Sequence, residues 1–211
     1  MKNTTLIELL TSSIVTVAPD AIISDVLAMM ASLRISCVVA TDEERHPLGI
    51  FTERDAVSLL AEGRDTGKIK IEEVMSKPPL CAASDVDFRA AYRILLEQGF
   101  RHLVVIDADN RVLGIITEGD FLPHLDVGDL SEFKTVARVM SAKIATVGID
   151  DTLSDAIAAM HHNHYSCVVV MRKSAPTGIL TERDAVRLST TIADPAGVTV
   201  GSVLQSPLIT A

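Results

Sequence analysis

The sequence predicts an α/β (α+β) protein made of tandem β-α-β-β-α repeats. The first observation is the run Thr-Glu-Arg-Asp, which occurs at Thr52–Asp55 and again at Thr181–Asp184. A near copy, Thr-Glu-Gly-Asp, lies between them at Thr117–Asp120, so the three corners are 65 and 64 residues apart. The second observation is that each corner follows a glycine and two apolar residues. A device repeated at a nearly constant period of this length indicates a repeat protein.

Each repeat begins with a short strand and a helix. In the first repeat, the β-rich segment Ile14–Val17 predicts the strand, and Asp20 or Ser24 is a candidate start for the helix. The helix carries an apolar stripe at helical spacing, which we interpret as its core face. The stripe is shared in register and consists of Ile23, Val26, Leu27 and Met30, then Phe88, Ala91, Tyr92 and Leu95, then Leu153, Ala156, Ile157 and Met160.

Two strands and a second helix complete the unit. Cys37–Ala40 and Leu48–Phe51 predict a hairpin around the polar turn Thr41–Pro47. The second helix begins near Asp55 and ends by Gly63. The corner therefore lies where the last strand of the unit meets its last helix.

We expect three full repeats and the start of a truncated fourth. Their predicted ranges are 1–66, 67–130, 131–196 and 197–211. Val74-Met75-Ser76 matches Val139-Met140-Ser141, and Leu204-Gln205-Ser206 follows at the same offset. The residue lost between the second and third corners falls in Arg172–Thr177, a predicted loop where length changes are tolerated.

Composition and charge bound the class of protein. With 48% hydrophobic residues the chain is too apolar to be disordered, and no apolar stretch is long enough to span a bilayer. The formal net charge of −9 argues against a general nucleic-acid or anionic-membrane surface, since both need a basic face. The three cysteines lack metal-type spacing. Cys37 and Cys167 occupy the same strand position, which favours small buried residues in a reducing cytoplasm.

The polar corner has two interpretations. Thr-x-x-Asp after a strand is the pattern of a capping box, which contributes about 1 kcal/mol and needs no ligand. However, such a box usually ends in Glu or Gln, and the preceding glycine would let a ligand approach the backbone closely. A carboxylate can accept two hydrogen bonds from a ribose diol, while a Thr hydroxyl, a helix N-terminus and an Arg suit a phosphate. The two interpretations are compatible, because a capped helix start holds a site rigid.

These features together resemble the cystathionine-β-synthase-type (CBS) domain, and the resemblance covers essentially the whole chain. It implies that the first two repeats form a pseudo-twofold pair with two clefts, leaving the third repeat with the truncated fourth. It further implies a non-catalytic regulatory module that binds an adenine nucleotide such as AMP, ADP or ATP, and that requires no cofactor and no metal. Such modules control an attached output domain in signal transduction.

Carried over residue by residue, the resemblance implies ten ligand-binding residues. They are the ribose partners Asp55, Asp120 and Asp184, the ribose or phosphate partners Thr52, Thr117 and Thr181, the phosphate partners Arg54 and Arg183, and the candidates Arg101 and His102. Arg101 and His102 enter because Gly119 replaces the Arg of the second corner. We therefore expect two non-equivalent clefts in the first pair.

The expected partners follow from the truncated plan. An unpaired third repeat would expose apolar surface and a sheet edge, so we expect a homodimer. By family analogy we also expect an output domain beyond Ala211, in a larger bacterial signalling protein.

Two alternatives remain open, a structural dimerisation module whose clefts bind nothing and an enzyme with catalysis in the cleft. The run His161–His164 is expected to be a solvated helix end rather than a metal site, although His164 is the counterpart of Arg34 and is a candidate lining residue of the third cleft.

Overall fold

The computed structural model describes residues 4–10, 14–124, 140–141 and 143–204. Within these ranges each repeat forms one sheet of three strands, in the order first, second, third. The second strand pairs in parallel with the first, and in repeats two and three it pairs antiparallel with the third. The predicted α/β (α+β) class with tandem β-α-β-β-α repeats is confirmed.

The elements follow the predicted order in every repeat. The strands are β1 (Thr16–Val17), β2 (Cys37–Thr41), β3 (Pro47–Thr52), β4 (Cys81–Ala83), β5 (His102–Ile106), β6 (Val112–Thr117), β7 (Thr146–Gly148), β8 (Cys167–Arg172) and β9 (Ala175–Thr181). The helices are α1 (Leu6–Leu9), α2 (Ile23–Leu33), α3 (Glu53–Ala61), α4 (Phe88–Gln98), α5 (Glu118–Phe121), α6 (Leu153–Asn163), α7 (Glu182–Ser189) and α8 (Val200–Val203). Short 3-10 turns lie at Ile71–Glu73, Leu122–His124 and Pro195–Gly197. Of the described helices, none is long and apolar enough to cross a membrane.

The apolar stripe is confirmed as the core face, but the predicted start of α2 is wrong. Every stripe residue is buried except the partly buried Tyr92. α2 begins after Ile22, whose side chain makes no cap, so neither Asp20 nor Ser24 caps this helix. At the equivalent position, Asp87 and Thr152 do accept backbone N–H bonds. Tertiary packing of an amphipathic face is enough to hold a helix start that lacks a cap.

The expected burial of the cysteines is confirmed for Cys37 and only in part for Cys167. Cys37 is buried on β2, and burial raises the pKa of its thiol to about 12. Cys167 and Cys81 are half-buried. Burial also raises the pKa of Cys81, so the thiols of Cys37 and Cys81 stay protonated at neutral pH.

The described segments that lead into repeats one, two and four each pack on a different repeat. We call residues 5–10, 70–76 and 199–204 the lead-in segments of repeats one, two and four. Their isolated bridges at equivalent positions are Thr5–Asp87, Lys70–Ile22 and Thr199–Thr152, and the second segment forms a further bridge, Ser76–Ile50. Because these are equivalent positions, repeats one and two exchange their lead-in segments reciprocally, and repeat three receives the lead-in segment of repeat four.

This exchange corrects the predicted register of the fourth lead-in segment. Leu204 lies beside Gly178 as Leu10 lies beside Gly114. Leu204 is therefore the counterpart of Leu10 and Met75, one position away from the predicted match. The residue lost in the β8–β9 loop shifts everything that follows it. The matched residues Val139, Gln205 and Ser206 lie outside the described residues.

The described chain forms two compact units that cut across the repeats. The first contains residues from the ranges 1–19, 39–50 and 76–140. In this unit the hairpin turn of repeat one contacts a strand of repeat two. The Arg45 guanidinium donates to the Val112 carbonyl at 3.2 Å, and the Val112 N–H donates to the Arg45 carbonyl at 3.0 Å. The unit's main cluster consists of Leu6, Leu9, Phe88, Ala91, Leu95, Leu103, Val105, Ile116 and Phe121.

The second unit contains residues from the ranges 20–38, 51–75 and 141–211, and it joins repeats one and three. α2 packs on α7, and α3 packs on both α6 and α7. Val57 of α3 shares a buried cluster with Leu153, Ile157 and Leu188 of repeat three. The expected homodimer rested on a third repeat without a partner. Helices of repeat one cover this helical face of repeat three within the same chain, so the face gives no reason to expect a second copy. The homodimer stays a prediction.

Candidate ligand-binding site

The three corners share one backbone arrangement. The strand ends at the threonine, and the first helical N–H donates to the carbonyl of the residue that precedes the middle strand of the sheet. These bonds are Glu53 to Ser36 at 3.0 Å, Glu118 to Arg101 at 3.1 Å and Glu182 to Ser166 at 2.9 Å. The residues before the middle strand therefore lie beside the corner, although about fifteen residues separate them from it in sequence.

Every corner is a capping box with Asp at its last position. In the first, the backbone N–H and the hydroxyl of Thr52 each donate to Asp55 Oδ2 at 2.8 Å. The same two donors of Thr117 lie 2.7 Å from Asp120 Oδ2, and those of Thr181 lie 3.0 and 2.7 Å from Asp184 Oδ2. The capping interpretation is thus confirmed at all three corners, with the shorter Asp in the place of Glu or Gln.

The other carboxylate oxygen distinguishes the corners. Within the described chain, Oδ1 of Asp55 and of Asp120 accepts no hydrogen bond, whereas Oδ1 of Asp184 accepts one from Arg187 at 3.1 Å. Burial raises the pKa of Asp55, and the hydrogen bonds from Thr52 act in the opposite direction. The capping box fixes each carboxylate, so in repeats one and two a rigidly held oxygen remains available to a hydroxyl donor.

The structure brings Arg101 and His102 to the second corner, as predicted. His102 pairs directly with Thr117 across the β5–β6 ladder. Burial and, to a smaller extent, the Arg101 charge lower the pKa of His102 to about 4, and Asp120 opposes the shift. His102 is therefore neutral at pH 7. Arg101 lies beside the corner in which Gly119 replaces the Arg, because its carbonyl accepts the Glu118 N–H at 3.1 Å.

Arg54 and Arg183 do not point freely toward a phosphate. Arg54 Nε lies 3.4 Å from Glu182 Oε1, and Arg183 Nε lies 2.8 Å from Glu53 Oε1. The two pairs are reciprocal, since each corner's Arg meets the Glu of the other corner. They link repeats one and three within the second unit. Both glutamates are largely buried, with 4% of the Glu182 side chain and 14% of that of Glu53 exposed.

The expected opening next to the corner glycine is not present in repeats two and three. A Cβ on Gly114 would lie 2.5 Å from Leu10 Cδ2, and one on Gly178 would lie 3.0 Å from the Leu204 side chain. These glycines make room for the exchanged lead-in segments. The sequence shows that a small residue is needed there, but not which group approaches it.

The histidine run is not uniformly solvated. His164 and its neighbours Asn163 and His162 are exposed, whereas His161 is half-buried, with its Nδ1 3.2 Å from the Ser58 hydroxyl oxygen. The described residues contain a metal-compatible cluster elsewhere, formed by Asp42, Glu44 and His46 in the β2–β3 turn. His46 Nδ1 already lies 2.8 Å from Asp42 Oδ2.

The fold and the corners define a class: proteins of tandem β-α-β-β-α repeats in which a capped Thr-x-x-Asp corner closes each unit. The chain belongs to the CBS domain family, which it matches over residues 6–62, 71–126 and 136–190. The three matches fall within the three predicted repeat ranges.

Solved structures and curated relatives agree with this family. A protein of Methanocaldococcus jannaschii superposes with a TM-score of 0.82 at 16% identity, over 99% of this chain and 84% of that one. A CBS domain protein of Pyrobaculum aerophilum, solved in complex with AMP, superposes with a TM-score of 0.55 at 21% identity, over 61% of this chain and 97% of that one. A protein of Methanopyrus kandleri is 26% identical over 123 residues, or 58% of this chain. This chain spans 63%, 22% and 44% of the length of the curated relatives matched first.

Proposed function

We propose that this chain is a regulatory module that senses an adenine nucleotide, AMP, ADP or ATP, at its Thr-x-x-Asp corners. The observation that carries the proposal is that the two oxygens of the corner carboxylate differ: one caps the helix, and the other is available to a ligand. One oxygen of Asp55 and of Asp120 is fixed by two hydrogen bonds from the capping threonine, and the other accepts none from the described chain. An acceptor held in this way is preorganised for a ribose hydroxyl, because no side-chain entropy is lost on binding.

The corners are not equivalent ligand sites in this proposal. The second corner combines Asp120 with the neighbouring Arg101 and His102. The first has Asp55, but its Arg54 is paired with Glu182. The third has its carboxylate engaged on both oxygens. We expect the second corner to bind most tightly and the third most weakly, since a ribose there must displace Arg187.

Family membership supports the nucleotide class, since CBS relatives of this fold include one solved with AMP and one solved with 5-methylthioadenosine and S-adenosyl-L-methionine. Ligand binding would favour one arrangement of the repeats and so control an output domain, which requires different affinities in two states. A homodimer and an output domain beyond residue 211 belong to the same proposal. The module itself performs no chemistry.

The test is calorimetric titration of the wild-type chain and of Asp120→Asn, Asp55→Asn and Asp184→Asn with AMP, ADP and ATP. The amide keeps an acceptor oxygen for the capping threonine, but it removes the negative charge and the second acceptor, so a ribose hydroxyl can no longer donate a charge-assisted hydrogen bond there. We expect Asp120→Asn to weaken binding by about ten- to hundredfold, the loss of one charge-assisted hydrogen bond. Asp184→Asn should have the smallest effect.

A structural module with empty clefts is the alternative that the complete capping boxes favour. Under that alternative no nucleotide would bind or raise the melting temperature, although a ligand of the native state must do so. Equal effects of the three substitutions would contradict the ranking of the corners. Recovery of a chemically altered nucleotide after incubation would contradict a non-catalytic module.

A further inference from the structure

A cavity of about 340 Å³ lies in the second unit where the end of α2 meets the start of α7. We call it the Arg34 cleft. Its charged lining residues are Arg34, Glu53, Arg183, Asp184 and Arg187. Repeat one therefore contributes one cation and one carboxylate, and repeat three contributes two cations and one carboxylate. The cleft carries a net positive charge in a chain whose formal net charge is −9.

Both carboxylates of the cleft are paired with arginines, but several guanidinium N–H donors in it have no partner among the described residues. Glu53 is paired with Arg183 through Nε, which leaves the two terminal nitrogens of that guanidinium without a described acceptor. Asp184 is paired with one terminal nitrogen of Arg187 at 3.1 Å. Arg34 forms no ion pair or side-chain hydrogen bond with any described residue. Three guanidiniums thus present unused donors to one cavity, the arrangement that binds a phosphoryl group.

The backbone of Arg34 provides an independent observation. Arg34 is the residue after α2 and has φ 56° and ψ 38°, in the left-handed region. The equivalent residues are Gly99 with φ 68° and His164 with φ 54°. Glycine is the residue that adopts this conformation without steric cost, and repeat two has it. A strained non-glycine residue whose side chain lines a cavity points to a role for that side chain.

The pseudo-symmetric position does not repeat the cleft. There His164 replaces Arg34, Ser58 replaces Arg187, and His161 replaces the small Ala31. His161 Nδ1 lies 3.2 Å from the Ser58 hydroxyl oxygen, so the larger side chain bridges the position that Ala31 leaves open in the Arg34 cleft. The two sides of the repeat one–repeat three interface are therefore chemically different.

We propose that the Arg34 cleft binds a phosphoryl anion, held jointly by Arg34 of repeat one and by Arg183 and Arg187 of repeat three. The inference rests on the proposed function only in that the anion is expected to be the phosphate end of a nucleotide at the third corner, which is expected to bind ribose most weakly. Free pyrophosphate offers the same chemistry. Because the anion contacts two repeats, its binding favours the packed arrangement of α2 and α7.

Calorimetric titrations with pyrophosphate, ATP and adenosine test the site in four forms of the chain. Arg34→Gly installs the residue found at position 99, so it relieves the backbone and removes the cation. Lys173→Gly is the charge-matched control, because Lys173 also has positive φ, at 57°, and lies in the β8–β9 turn. His164→Gly is the position-matched control at the pseudo-symmetric helix end.

Arg34→Gly should weaken pyrophosphate and the weaker ATP-binding event by about ten- to hundredfold, with a melting temperature equal to or above that of the wild type. It should leave adenosine and the tighter ATP-binding event at the second corner unchanged. Both controls should bind pyrophosphate within about twofold of the wild type. Unchanged ATP and pyrophosphate affinities in Arg34→Gly would overturn the cleft and leave the proposed function standing. Pyrophosphate binding that depends on Arg34, without any binding of ATP or adenosine, would support the cleft and overturn the nucleotide proposal. No binding of any of the three would overturn both.

Discussion

Asp55 and Asp120 each bind a helix start with one carboxylate oxygen and keep the second available. This division was not predictable from the sequence, because Thr-x-x-Asp is equally the pattern of a cap and of a ligand-binding corner. What the sequence did predict is which residues meet: Arg101 and His102 lie beside Thr117, as expected from the missing Arg at position 119. What it missed is that Arg54 and Arg183 pair with glutamates, since nothing in a periodic sequence says which repeat faces which.

The cap function of Asp55 predicts a difference between two substitutions. Asp55→Ala should destabilise the fold by about 1 kcal/mol, because the Thr52 N–H and hydroxyl lose their acceptor. Asp55→Asn should cost less than about 0.5 kcal/mol, since its amide oxygen accepts both bonds and the desolvation that raises the Asp55 pKa is relieved. Urea unfolding at pH 7 measures both free energies. Equal losses for Ala and Asn would contradict this account.

His102 predicts a loss of stability in mild acid. Its folded pKa of about 4 lies below the unfolded value of about 6.5, so the unfolded chain binds more protons between these values. The free energy of unfolding should therefore fall as the pH falls from about 6.5 toward 4, by up to about 2 kcal/mol between pH 6.5 and pH 5. His102→Gln should remove this part of the decline when urea unfolding is compared across the range.

His46 is the control for the pH experiment, because its exposed ring has the opposite shift. The hydrogen bond to Asp42 raises the pKa of His46, so its contribution is present in acid and is lost as the pH rises through the folded pKa. His46→Gln should leave the acid decline in place or steepen it slightly. A wild-type decline that persists in full in His102→Gln would show that other groups cause it.

At the scale of elements, the period and the order of strands and helices were predictable, while the exchange of lead-in segments and the register of the fourth one were not. The period follows from residues that recur along the chain. The exchange depends on which sheet edge a segment reaches, and Thr5, Lys70 and Thr199 give no sign of it in sequence. The start of α2 was also beyond a motif search, because Ile22 replaces the capping residue found in the other repeats.

The exchanged lead-in segment explains why Gly114 must lack a side chain. Gly114→Ala should destabilise the fold by about 1–3 kcal/mol, since its Cβ would lie 2.5 Å from Leu10 Cδ2 in a packed cluster. Adding Leu10→Ala should make room for the new methyl group. The double substitution should therefore lower the free energy of unfolding by less than the sum of the two single losses, as a double-mutant cycle in urea would measure. Gly119→Ala is the control, because its Cβ would have no neighbour closer than 3.8 Å and should not destabilise. Additive losses at Gly114 and Leu10 would contradict the close packing.

At the scale of the whole molecule, the two compact units do not coincide with the repeats. Helices of repeat one share a buried cluster with repeat three, while the hairpin of repeat one belongs with repeat two. Sequence periodicity assigns residues to repeats, but it contains no information on which helical faces meet. The apolar stripe of α6 was correctly predicted as buried, and its partner α3 was not identified.

Shared burial predicts that damage in repeat one spreads to repeat three. Val57→Ala should cost about 1–3 kcal/mol, because Val57 is 2% exposed and packs among Leu153, Ile157 and Leu188. In hydrogen-exchange mass spectrometry this substitution should speed exchange in α6, and not in α4, because cooperative openings follow contiguous packed clusters. Val105→Ala, a matched core substitution in the first unit, should do the reverse. Faster exchange after Val57→Ala that stays within α2 and α3 would mean that the two repeats unfold independently. The anion cleft between their helices would then lack the coupled framework that a sensing role requires.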